Sequence, residues 1–112
     1  MKTLLIVWKS NNDIDIHNFV IPYAYNAKRH QWFDHVQVLI WGASQEVVAA
    51  TPLIQQRVMN LIKNGVEVLA CKMCATNIGA AETLESLGVD VRYTGDFLSE
   101  QLQNPDCEVL TI

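Results

Sequence analysis

Short apolar runs alternate along this chain with stretches in which apolar residues recur every three or four positions. Residues 3–8, TLLIVW, are a continuous apolar run, the mark of a strand buried on both faces. A polar, turn-like KSNND segment follows. Ile16, Val20, Tyr23, Ala24 and Ala27 then fall at helical spacing and predict one buried stripe. Pro22 lies inside that pattern, so a kink or a late helix start is expected there. Residues 36–41, VQVLIW, read as a second strand stopped by Gly42. Thr51-Pro52 is a helix start, with Thr51 as N-cap and Pro52 in the first helical position. Ile54, Val58, Leu61 and Ile62 form the buried stripe of that helix, and Asn64-Gly65 closes it.

The pattern then repeats. Residues 66–70 form a third strand, Ala80, Leu84 and Leu87 mark a helix ended by Gly88, and residues 89–93 form a fourth strand. A short helix over 96–102 and a last strand over 107–112 complete the chain. Regular alternation with short connections predicts an α/β domain, a mainly parallel sheet covered by helices on both faces. Such sheets bind ligands outside the carboxyl ends of their strands. Here those ends are residues 9–11, 42–44, 71–74 and 94–96.

Composition narrows the function. A length of 112 residues fits one domain. With 50% hydrophobic and 18% charged residues, the chain is too apolar for disorder. The net charge is −4, and Lys28, Arg29 and His30 are the one compact basic cluster, so nucleic acid is not an expected partner. The opening apolar run is too short for a signal-peptide core or a membrane span, which points to the cytoplasm. Three cysteines, an odd number, do not make a disulfide scaffold. There is no Walker loop, dinucleotide fingerprint or nucleophile elbow, and no cofactor is expected. Asp13, Asp15, Asp90 and Asp96 read as solvated.

The chemistry is concentrated in ACKMCA, residues 70–75. Cys71 falls at a strand end, and Cys74 in or just before the first turn of the next helix. Unpaired N–H groups and the positive end of the helix dipole favour an anion there, a thiolate included, and Lys72 between the two adds positive charge. Thiols three residues apart can also close a disulfide, or one can resolve an adduct on the other. Packing is the competing reading, because cysteine is among the most buried residue types. A zinc site would need a second close pair of ligands, and His17, His30 and His35 are scattered. A thioredoxin-like fold fits poorly: the pair follows the third strand and no Pro separates its cysteines. Cys107 reads as structural.

Several blocks together resemble the DsrE-like family: YAYNAK at 23–28, WFDHVQVLIWGAS at 32–44, GVEVLACKMCATNIG at 65–79, LESLGVDVRYTGDFLSEQL at 84–102, and the final VLTI. The resemblance runs nearly end to end. It implies a three-layer α/β/α fold with a five-stranded, mainly parallel sheet. It also implies a homo-oligomer, a trimer or hexamer. In the sulfur-relay members of that family a cysteine near this strand end carries a persulfide and passes it to a partner protein. By that resemblance Cys71 is expected to accept sulfur and Cys74 to resolve or share it. Asn26, in the YAYNAK block, is expected to line the pocket with Lys72 and the loop carrying Gly42 and Ser44. Each has a plainer reading: a capping amide for Asn26, backbone freedom for Gly42, turn chemistry for Ser44. Trp41 is expected to pack. Trp32, Phe33, Tyr23 and Tyr25 suit either a self-association patch or core packing.

Two functions follow as expectations. One is transfer of persulfide sulfur between proteins or small thiols at a cysteine site. The other is a non-enzymatic oligomeric binding or scaffold protein whose cysteines are structural.

Overall fold

The computed structural model describes residues 1–112. Five strands, β1 Thr3–Trp8, β2 His35–Ile40, β3 Glu67–Cys71, β4 Asp90–Arg92 and β5 Cys107–Thr111, form one sheet in the order β4-β3-β2-β1-β5. Every neighbouring pair is parallel, so the expected α/β/α fold is present. The central strands are the apolar runs of the sequence, because a strand covered on both faces has no side to turn toward water. Leu5, Ile6, Leu39, Ile40, Leu69 and Ala70 are all fully buried.

Helices α1 Asp13–Asp15 and α2 Ile21–Arg29 join β1 to β2. Helices α3 Ala43–Ala50 and α4 Pro52–Lys63 join β2 to β3. Helices α5 Lys72–Ile78 and α6 Ala81–Ser86 join β3 to β4, and α7 Gly95–Gln103 joins β4 to β5. The chain steps in one direction from β1 to β4 and then returns to the far edge as β5. With right-handed crossovers, this puts the first three connections on one face and α7 alone on the other.

The core records that asymmetry. A cluster of 22 buried residues lies on the main helical face, whereas Leu5, Leu39 and Leu69 are the only fully buried apolar residues on the second. Phe97 and Leu98 of α7 pack over those leucines with Trp41.

Pro22 does not break the helix. Residues Ile16–Val20 form a π-helical turn in which the Ile21 N–H donates to the Ile16 carbonyl, and α2 begins immediately afterwards with Pro22 in its first turn. The wider turn gives room to a ring that would otherwise crowd the carbonyl of residue 18. Thr51 holds the N-cap position of α4, but its hydroxyl makes no capping bond. Between β3 and β4 the chain makes two helices. Gly79, at φ 70°, ends α5 in a left-handed turn, and the Ala80 N–H bonds back to the Ala75 carbonyl at 2.8 Å.

Candidate functional site

The carboxyl ends of β1, β2 and β3 are tied together from within. Gly42 follows β2 with φ 76° and ψ −138°, a conformation open to glycine because it has no Cβ. That turn starts α3 at once and carries Ser44 and Gln45 inward; both are fully buried. The Ser44 hydroxyl donates to the Trp8 carbonyl at 2.6 Å and lies 3.3 Å from that of Trp41. It is thus committed to the ends of β1 and β2, not turned toward a ligand as expected. The Gln45 side-chain nitrogen donates to the carbonyls of Ile40 and Cys71, both at 3.0 Å.

The two cysteines occupy different environments. Cys71 ends β3, acts as N-cap residue of α5, and is 3% exposed. Cys74, in the first turn of α5, is half-buried, with its Sγ 3.9 Å from the Gly42 carbonyl oxygen. Cys71, Cys74 and Cys107 are free thiols. Cys71 is the expected sulfur acceptor, but in the folded chain Cys74 is the thiol nearer the surface. Lys72 is exposed, with its ammonium 5.6 Å from the centre of the Tyr93 ring. This cation–π contact directs its charge toward the end of β4. Met73 and Tyr93, 58% and 67% exposed, make the rim apolar.

Two buried oxygens at this edge have no protein partner, Oε1 of Gln45 and Oγ1 of Thr94. Buried polar atoms are normally paired, so the edge retains unused hydrogen-bonding capacity. Within one chain, no three His, Cys, Asp or Glu side chains gather as a metal would require.

Asn26 is not part of this assembly. Its Nδ2 donates to the Pro22 carbonyl at 2.9 Å, and it lines a groove on α2 and α4. Helix α2 runs away from the thiol edge, and thirteen residues of helix beyond Asp13 span roughly 20 Å. Gln45 is the contact that sequence reading missed. Its only signal was a polar side chain three residues after a strand-ending glycine.

Cys107 stands apart, at the start of β5. Burial, reinforced by the Glu108 carboxylate, pushes its thiol above the ordinary cysteine range.

No protein-family model and no curated protein matches the sequence. Among solved structures, the chain is similar to the conserved protein of unknown function BT1422 from Bacteroides thetaiotaomicron. The TM-score is 0.95 at 33% identity, over 99% of this chain and 95% of that one. The ychN protein of E. coli matches at TM-score 0.74 and 17% identity over 100% of both chains. The chain therefore shares its fold with the ychN protein. No helix is long and apolar enough to cross a membrane.

Proposed function

Since the chain belongs to the same family as the Bacteroides thetaiotaomicron protein BT1422, and shares its fold with the ychN protein of E. coli, we propose that it is a small cytoplasmic DsrE-like protein that carries sulfane sulfur on a cysteine at the carboxyl edge of its sheet. The observation that carries this reading is the placement of Cys74. It is a partly exposed free thiol in the first turn of α5, beside the Gly42 carbonyl and an apolar rim.

In the proposed step the Cys74 thiolate attacks the outer sulfur of a donor persulfide, R–S–SH. A new S–S bond forms on Cys74, the donor's S–S bond breaks, and the donor leaves as a thiolate with that electron pair. An acceptor thiolate then attacks the outer sulfur of Cys74–S–SH, and Cys74 returns as a thiolate. The sulfur moves with no net oxidation or reduction. Cys71 takes the role of the inner thiol behind it. The exposed Met73 and Tyr93 suit contact with a donor or acceptor protein. A homo-oligomer, trimer or hexamer, belongs to the same proposal, supported by the thin cover that α7 gives the second sheet face.

The test is loading by inorganic polysulfide, read on the intact protein by mass spectrometry. Wild type and Cys71→Ser are expected to gain one sulfur atom, and Cys74→Ser none. Undiminished loading of Cys74→Ser would remove Cys74 from the role. The burial of Cys71 favours a second reading, an oligomeric binding or scaffold protein with structural cysteines. On that reading neither Cys71 nor Cys74 alkylates until the protein unfolds.

A further inference from the structure

On the outer side of the main helical layer, α2 and α4 leave a cavity of about 290 Å³ between them. It is remote from the thiol edge and shares no residue with it. Its wall includes His17, Pro22, Tyr25, Asn26, Arg57 and Asn60, and no Asp or Glu. Arg57 carries the only fixed charge there. Its guanidinium has no carboxylate partner, for the ion pairs of the chain are Lys2 with Glu108 and Arg92 with Asp90. In a chain of net charge −4, an unpaired arginine in a concavity without acids is a locally positive site.

His17 lines the same groove and is half-buried. Its Nδ1 is out of contact with solvent and has no hydrogen-bond partner. His17 is presented by the π-helical turn Ile16–Val20, and such turns occur frequently at functional sites. The amide of Asn60 adds unused donors: its Oδ1 accepts from Asn64, which leaves its NH₂ group free. The amide nitrogen of Asn26 is occupied by the Pro22 carbonyl. Pro22 and Tyr25 supply apolar surface beside these polar groups. A planar guanidinium fork matches the paired oxygens of a carboxylate or phosphate.

We propose that the α2–α4 groove binds a small organic oxyanion, with its carboxylate or phosphate group on Arg57 and His17 and its carbon skeleton against Pro22 and Tyr25. The test is an amide NMR titration of the full chain at constant ionic strength with benzoate, phenyl phosphate and inorganic phosphate. Saturable shifts are expected at His17, Tyr25 and Asn60 with at least one organic probe. Preference between the two organic probes assigns the acidic group, and weaker binding of inorganic phosphate shows that the skeleton contributes. Arg57→Gln, an exposed change on α4, is expected to weaken binding at least tenfold with the remaining amide spectrum unchanged, since it removes a charge-assisted pair. Absence of saturable shifts with all three probes would overturn the proposal, as would equal affinity in Arg57→Gln.

Discussion

The side-chain amide of Gln45 reaches across the sheet edge to the carbonyl of Cys71, 3.0 Å away, while also holding the carbonyl of Ile40 at 3.0 Å. One buried side chain thereby fixes the end of β3 against the end of β2, and so fixes where α5 and its cysteine begin. Replacing Gln45 with Met keeps the approximate volume but removes both bonds. The expected loss is about 1–3 kcal/mol, the cost of leaving buried carbonyls underpaired. Urea unfolding measures it, and native alkylation of Cys71 should accelerate in the same variant. An unchanged midpoint and unchanged labelling would show that the contact holds nothing in place.

Ser44→Ala separates a structural hydroxyl from a ligand-binding one. The 2.6 Å bond to the Trp8 carbonyl is buried, so its loss is expected to cost about 1–2 kcal/mol. Polysulfide loading at Cys74 should remain at the wild-type level under conditions where the variant is folded. Loss of loading in folded Ser44→Ala would place that hydroxyl in the chemistry.

Gly42→Ala tests the turn itself. A Cβ at Gly42 meets nothing within 4 Å, so the penalty is conformational and arises from φ 76°. A cost of about 1–3 kcal/mol is expected. Because the Gly42 carbonyl faces Cys74, the labelling rate of Cys74 should change as well. If stability falls but Cys74 labelling does not move, the carbonyl has no part in setting that thiol's environment.

The three cysteines should label in a definite order. Cys74, partly exposed, is expected to alkylate first in the native protein, and Cys71, 3% exposed, last. Cys107 should be slow near neutral pH for a different reason. Its thiol is held above the ordinary range by burial and by Glu108, so a smaller fraction is thiolate at any given pH. Its rate should therefore keep rising into more alkaline solution than that of an unhindered thiol. Site-resolved mass spectrometry over a pH series checks both claims; fast neutral-pH labelling of Cys107 would contradict the second.

Most of the architecture was legible because burial on both faces leaves a plain trace. The runs at 3–8, 36–41 and 66–70 are apolar but for Thr3, Gln37 and Glu67 near their starts, and the stripes of Ile16, Val20 and Ala24 and of Ile54, Val58 and Leu61 keep helical spacing. Helix α3 was not legible. It starts directly after Gly42 with Ser44, Gln45 and Glu46 in its first turn and has no side-chain cap, so its opening reads as a loop. The long segment after β3 divided into α5 and α6 because Gly79 takes a left-handed turn, which periodicity alone does not reveal.

The sequence by itself determined the strand and helix alternation, the parallel sheet, and the edge at which Cys71 and Cys74 fall, since these depend on periodicity and chain order. Only the tertiary structure decided which thiol faces outward, that Ser44 and Gln45 are spent on the carbonyls of neighbouring strands, and that Asn26 belongs to a groove on α2 and α4. Those outcomes depend on groups far apart in the chain, such as Gln45 and Cys71 or His17 and Arg57. A polar side chain leaves no periodic mark in sequence that tells which distant backbone group it will meet.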